Sequence, residues 1–235
     1  MLHQDLKSEE SVEDYSKHTM AVDWKSMGYK GVISSLRDSL VKGKLFLDYG
    51  CGPGFFPAFL EETYKIDIIG VDISKEMVIY CQKQYSSPNL TFKTVSNNKL
   101  TFIASNSMDA VISCYVLMQI PSFSELIEVA KEIHRVLKPG AKFVVLTMNP
   151  DYTGVQFEII RNGEEGKHYQ PGEKMITRLD TVEGQLVLED IYWPKESYVS
   201  VFEKSGFQQI KSTGIRPERG KNADKEQFLV IEGVK

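Results

Sequence analysis

Three glycines and two carboxylates carry the first chemical signal in this chain. Asp48-Tyr49-Gly50-Cys51-Gly52-Pro53-Gly54 follows the apolar run Leu45-Phe46-Leu47, so the glycines fall where a strand would turn into a helix starting at Phe55. Lacking Cβ atoms, Gly50, Gly52 and Gly54 let the backbone turn sharply and approach a ligand closely. The spacing is GxGxG, not the GxGxxG that seats a pyrophosphate on a helix N-terminus. Asp48 would repel a phosphate and suits an ammonium group instead. Asp72 ends a second apolar run, Ile66 to Val71, about 20 residues beyond the glycines, a place from which a carboxylate can accept both hydroxyls of a ribose. Ser74 can cap the helix that follows, which leaves Asp72 free of that duty. The pair describes a nucleoside with a cationic, phosphate-free extension. S-adenosylmethionine meets that description.

Holding such a pair requires strands that end side by side. Leu45–Leu47, Ile66–Val71, Leu90–Val95, Ala110–Cys114 and a run from Phe143 to Leu146 read as strands. Helices are expected over Phe55–Thr63, from Ser74 to about Tyr85, and from Ser122 to Leu137, where Ser122 and Glu125 have capping-box spacing. Pro139-Gly140 is expected to stop the chain before the fifth strand. Strand and helix in alternation mean an α/β fold, a doubly wound and mostly parallel sheet with helices on both faces and a ligand crevice at the carboxyl ends of the strands. Two helices are expected before it, around Val12–Trp24 and Gly31–Val41. Beyond Thr147 the rhythm changes: residues 149–182 lack a clear period and Gln185–Trp193 looks extended. A helix over Lys195–Ser205 and strands over Phe207–Ser212 and Phe228–Ile231 close the chain.

The 235 residues suggest one domain, and 42% hydrophobic with 26% charged residues suggests an ordinary globular core. Lys+Arg 28 against Asp+Glu 32 leaves a net charge of -4, with no overall positive field toward nucleic acid or anionic membrane. No apolar run approaches the ~18–20 residues that span a bilayer. The opening residues lack the basic start and apolar stretch of a secretion signal. Cys51, Cys81 and Cys114 show no CxxC spacing, which disfavours a disulfide framework or a zinc site. The expectation is a cytoplasmic protein, monomer or homodimer, with a small-molecule partner and no metal, nucleic acid or membrane.

LFLDYGCGPG, IIGVDIS, NSMDAVISCYVLMQI and EIHRVLKPGAKFVVLT, in that order between Lys44 and Met148, resemble the motif run of class I S-adenosylmethionine-dependent methyltransferases. The resemblance implies a seven-stranded Rossmann-like sheet, S-adenosylmethionine as cofactor, and methyl transfer to N, O or C of a small metabolite. It implies that Asp48, Gly50, Gly52 and Gly54 line the methionine end, with Cys51 and Phe55 also touching cofactor. Asp72 would hold the ribose, Ile73 and Met77 would flank the adenine, and Cys114 and Tyr115 would face the methyl group. Where relatives often carry an acid after strand three, this chain reads Ser96-Asn97-Asn98, so Ser96 and Asn97 become the adenine-side candidates. Met118-Gln119 replaces a His-His pair common in relatives, so no imidazole is expected there.

A sulfonium methyl is already activated; the protein must mainly align it, and a base is needed only where the acceptor carries a proton that must leave. The catalytic candidates are Tyr115, His18 and His168, while His134 in the HRVLKPG segment reads as structural. Acceptor walls are expected from Tyr15 and Trp24 in the first helix, from Tyr115, and from Tyr152, Tyr169, Tyr192 and Trp193. Tyr192 and Trp193 have a plainer alternative, the packing of a strand on its helix. Within the single domain 1–235, a helical cap (1–43), a cofactor core (44–148) and an acceptor-pocket insertion after strand five (149–193) are thus expected. Two other functions fit the binding motifs: a cofactor-binding protein without transfer (a regulator, or a cyclase or decarboxylase relative), and a nicotinamide dehydrogenase, against which Asp48 and the glycine spacing argue. Asn149-Pro150-Asp151-Tyr152 resembles the Asn-Pro-Pro-Tyr cluster of nucleic-acid amino-methyltransferases, but it follows strand five rather than four and has Asp for the second Pro. Nucleobase methylation is not expected.

Overall fold

The computed structural model describes residues 8–20, 22 and 27–235. In chain order its elements are α1 (Glu9–Met20), α2 (Tyr29–Ser35), β1 (Leu45–Tyr49), α3 (Phe55–Tyr64), β2 (Asp67–Asp72), α4 (Lys75–Gln84), β3 (Leu90–Thr94) and β4 (Met108–Cys114). Then come α5 (Phe123–Val136), β5 (Leu137–Met148), β6 (Ile160–Asn162), β7 (Lys174–Thr181), β8 (Gly184–Ile191), α6 (Lys195–Lys204), β9 (Gln208–Ile215) and β10 (Phe228–Val234). Seven strands form one sheet in the order β3-β2-β1-β4-β5-β10-β9. β1 to β5 are parallel, and β10 runs antiparallel to both its neighbours. The chain winds outward from β1 in one direction and from β4 in the other, so the order reverses between these two strands. Their carboxyl ends therefore open a crevice.

One face of the sheet packs on α5 and α6, the other on α2, α3 and α4. The expected apolar stripe of α5 is real, with Leu126, Val129, Ala130 and Ile133 buried. Only half of its capping box forms. Ser122 Oγ accepts from the Glu125 N–H, but the Glu125 carboxylate turns away and accepts from Asn98 Nδ2 at 2.9 Å.

Three local readings of the sequence differ from the fold. Pro139-Gly140 does not stop the chain: β5 already begins at Leu137, opposite Met108, and the register shifts between Met108 and Ala110. Gly140 absorbs the irregularity at φ 80 and donates its N–H to Lys235 O. α2 ends at Ser35 rather than Val41. The first helix ends at Met20, so Trp24, expected within it, lies outside the described residues.

The stretch after β5 contains an antiparallel sheet, β6-β7-β8, where only the β8 part was expected as extended chain. Met175, Thr177 and Leu179 are buried at alternate positions of β7. Thr177 at a buried position and Ile176 between Met175 and Thr177 blur that alternation when hydropathy alone is read. Thr181 pairs with Gly184 across a tight turn. β8 packs against α1 and the short turn Leu117–Gln119, which sets this small sheet over the crevice.

Candidate active site

Each glycine of the loop has its own reason. At Gly50, φ 78, an added Cβ would lie 2.2 Å from Val116 Cγ2. Its N–H and that of Cys51 both donate to Val71 O, stitching the loop to the end of β2. At Gly52, φ 50, a Cβ would meet nothing within 4 Å and would project into the space the loop encloses. At Gly54, φ 80, a Cβ would press on Tyr85 and Cys81, so this glycine serves the packing of α3 against α4. Asp72 closes the ring: Oδ2 accepts from the Gly52 N–H at 3.1 Å and Oδ1 from the Ser74 N–H at 2.9 Å. Ser74 Oγ in turn accepts from the Met77 N–H, so the helix cap falls to Ser74 as expected.

The crevice is a cavity of about 750 Å³. Asp48, Gly50, Cys51, Gly52 and Phe55 line it from the glycine turn, and Asp72, Ile73 and Met77 from the end of β2 and the start of α4. Asn98 and Glu125 add a polar wall, with Tyr49 Oη donating to Asn98 Oδ1. Cys114 and Tyr115 project from the end of β4, Tyr15 and Thr19 come from α1, and Met27 and Tyr29 precede or open α2. The small sheet contributes Ile160, Thr177, Leu179, Leu188 and Asp190. Six of the lining side chains are carboxylates (Asp48, Asp72, Glu76, Glu125, Glu189, Asp190), and Lys75 is the single basic one among the described residues. The cavity is built for a cation.

Burial, and then the neighbouring Asp72, pushes the Asp48 carboxyl up to about 8. Burial also raises Asp72, against the pull of its backbone N–H donors. Both groups lack a partner cation among the described residues, and both would gain from one. Tyr115 sits at φ 61, a left-handed conformation uncommon for an aromatic residue and characteristic of functional turns. Its hydroxyl donates to Met27 O, and its ring meets Tyr29 and Phe228 edge-on. This ties the end of β4 to the chain leading into α2.

Not every expected site residue reaches the cavity. Ser96 and Asn97 are exposed, and Asn98 lines the wall in their place because Asn97 and Asn98 both adopt positive φ and turn the chain back. His18 is buried against the β7–β8 turn, its Nδ1 2.7 Å from Thr181 Oγ1. His168 is exposed on the loop before β7. Tyr169 stacks on Tyr192 and accepts from the Glu164 N–H, while Tyr152 packs against the apolar cluster on the α2, α3 and α4 side of the sheet. Trp193 is buried against Phe123 with its Nε1 donating to Ile120 O, the plainer of its two readings. Asn149 holds the backbone together, since its amide donates to Glu226 O and accepts from the Asp151 N–H. Gly54, Ser96, Asn97, His18, His168, Tyr152, Tyr169, Tyr192 and Trp193 are thus not among the lining residues, whereas Asp48, Gly50, Cys51, Gly52, Phe55, Asp72, Ile73, Met77, Cys114, Tyr115 and Tyr15 are. Sequence reasoning missed the small sheet's contribution, Asp190 above all, which an alternating reading of β7 and β8 would have brought to one face.

A family model described as a methyltransferase domain matches residues 47–145. The N-demethylindolmycin N-methyltransferase of Streptomyces griseus is 38% identical over 99% of this chain and 100% of its own length. The chain belongs to the class I S-adenosylmethionine-dependent methyltransferases. A ubiquinone/menaquinone biosynthesis C-methyltransferase of Desulfotalea psychrophila is 28% identical over 49% of this methyltransferase and 46% of its own chain. The fold is shared with a SAM-dependent methyltransferase from Aquifex aeolicus, at TM-score 0.62 and 15% identity, covering 96% of this chain and 97% of that one. The enzyme uses S-adenosylmethionine, and its residues fit that cofactor: open space at Gly52 that a Cβ would enter, and two carboxylates, buried Asp48 and half-buried Asp72, without a partner cation among the described residues. Family membership displaces the nicotinamide dehydrogenase alternative. No helix among the described residues is long and apolar enough to cross a membrane.

Proposed function

We propose that this methyltransferase acts on a nitrogen of a small, largely apolar acceptor of the kind that N-demethylindolmycin represents. The observation that carries this is the 38% identity to an N-methyltransferase over the full length of both chains, including the small sheet over the crevice. The acidic lining agrees with it, since an amine acceptor and a sulfonium are both drawn to carboxylates. In this reading Asp72 accepts the ribose hydroxyls, Asp48 pairs with the ammonium group, and Ile73 and Met77 hold the adenine beside Asn98. Cys114 and Tyr115 border the reacting centre. When bound, the cofactor supplies a methyl group made electrophilic by its sulfonium.

The chain's own work is then to bind, orient and exclude water. Tyr15, Met27, Tyr29, Met148, Ile160, Leu179 and Leu188 supply an apolar enclosure for the acceptor. Holding nucleophile and methyl carbon in line can supply roughly 7–11 kcal/mol of barrier reduction. His18 and His168, set away from the cavity, have no catalytic role here. The acceptor is a metabolite rather than a nucleic acid, and the enzyme works in the cytoplasm, in keeping with its three free cysteines.

The test is incubation with methyl-labelled S-adenosylmethionine and N-demethylindolmycin, beside phenols and C-nucleophiles of similar size. Label on nitrogen supports the proposal; label confined to oxygen or carbon products would overturn it. Tight cofactor binding without any labelled product would favour the non-transferring alternative.

A further inference from the structure

Of the four lining carboxylates left once the cofactor's ammonium and ribose are provided for, Asp190 is the buried one. Asp190, on β8, is 1% exposed and lines the cavity beside Thr177 and Leu188. Its Oδ2 accepts from Thr177 Oγ1 at 2.5 Å and from Asn162 Nδ2 at 3.3 Å. Asn162 also donates to Thr177 Oγ1, which fixes that hydroxyl as a donor toward Asp190. Oδ1 is buried and has no donor among the described residues. Buried polar atoms without a partner are rare in native folds and call for a reason.

We propose that Asp190 Oδ1 is the proton acceptor for the N–H of the methyl acceptor, a role that rests on the nitrogen-acceptor reading above. The nitrogen lone pair forms the new N–C bond as the C–S bond breaks, and the electrons of that bond return to sulfur. The nitrogen's proton passes to Oδ1, leaving a neutral methylated amine, and goes from there to solvent when product leaves. The candidates expected from sequence are placed otherwise: Tyr115 gives its proton to Met27 O, His18 is held by Thr181, and His168 is on the surface. Of the lining carboxylates, Glu125 accepts from Asn98 and Glu189 pairs with Lys174.

The surroundings suit a base of this kind. Tyr15 on α1 and Tyr198 on α6 are the titratable groups whose fields meet that of Asp190, and no cation among the described residues pairs with it. Tyr15 also feels Asp72, so the two carboxylates share one enclosure. Burial pushes Asp190 up to about 7, against the pull of Thr177, and a base tuned near the working pH is the efficient one. A carboxylate kept for packing alone would have both oxygens satisfied by the protein.

The experiment compares wild type, D190N and T177V with N-demethylindolmycin and a set of simple primary and secondary amines. In wild type, kcat, which is free of the unbound amine's own ionisation, should rise with pH up to about 7 and then level. D190N should lose about 10²–10⁴-fold in kcat and that acid limb with it, while its affinity for S-adenosylhomocysteine, read by calorimetry, stays within about twofold. T177V, which keeps the carboxylate but takes away a donor, should move the limb to higher pH, a shift that a structural role would not produce. Independently of turnover, NMR of protein carrying labelled aspartate carboxyls should show a resonance that titrates near 7 and is missing in D190N. An active enzyme indifferent to D190N, or an Asp190 resonance titrating like an ordinary carboxylate near 4, would overturn the inference alone. An enzyme that methylates no amine would overturn the nitrogen reading and this inference together. Should D190N fail to fold, an unmoved limb in T177V counts against the proposal.

Discussion

Replacing Asp48 by Asn should give the cofactor-free protein a stability advantage over wild type that grows as pH rises, and the size of the gain follows from the site. In the unfolded chain the Asp48 carboxyl loses its proton near 3.8, whereas in the fold it keeps it until about 8. Between these values the folded state binds the extra proton, so wild-type stability falls as pH rises. Each pH unit in that window costs about 1.4 kcal/mol. Between pH 5 and pH 7 the stability advantage of Asp48→Asn should therefore grow by about 3 kcal/mol, whatever constant offset the amide's own packing adds. Urea unfolding of both proteins at pH 5, 6, 7 and 8, followed by circular dichroism, reads the difference directly. In the proposed site the free enzyme holds an unfavourable carboxylate at Asp48 that the ligand's ammonium would relieve. Binding of S-adenosylhomocysteine at pH 7 should accordingly release more protons from wild type than from Asp48→Asn, measurable by calorimetry in buffers of different ionisation heat. Parallel stability curves, with a difference independent of pH, would mean that Asp48 titrates alike in the folded and unfolded chain.

Asp72→Ala should weaken S-adenosylhomocysteine binding by about 1.5–3 kcal/mol through lost charge-assisted hydrogen bonds; unchanged calorimetric affinity in the folded variant would remove Asp72 from the ribose. Tyr115→Phe takes the donor from Met27 O, so we expect stability to drop by about 0.5–1.5 kcal/mol and the acceptor's KM to rise while cofactor affinity holds. Equal losses of cofactor affinity and turnover would confine Tyr115 to the cofactor's side. Gly50→Ala and Gly140→Ala both force a side chain to positive φ, but only at Gly50 would the Cβ strike a neighbour. Gly50→Ala should abolish cofactor binding and cost clearly more in thermal melting than Gly140→Ala; equal costs would mean that Val116 moves aside.

The cofactor half of this enzyme is legible because its constraints are local. A glycine that must hold φ 78 under Val116 admits almost no other residue, and an acid at the end of β2 is bonded to the backbone of the same turn. The acceptor half is different. The walls proposed for the acceptor come from α1, from the chain before α2 and from β6 to β8, segments far apart in sequence that meet only when the small sheet folds over the crevice. Aromatic residues drew attention there, yet Tyr169, Tyr192 and Trp193 satisfy one another and the core. Asp190, buried one residue before an apolar Ile191, reads in the sequence as one more polar position of an extended strand. Ser96 and Asn97 illustrate a finer limit: a pair of left-handed residues moved the contact to Asn98, and backbone twist of that kind leaves little trace in residue type.

A crystal structure of the enzyme with S-adenosylhomocysteine and N-demethylindolmycin bound together would test these assignments in one step. The ribose should lie on Asp72, the amino group on Asp48, and the acceptor nitrogen should face the cofactor sulfur with Asp190 Oδ1 within hydrogen-bond distance. An acceptor seated away from β8, or one that turns an oxygen or a carbon toward the sulfur, would overturn both the nitrogen reading and the role given to Asp190.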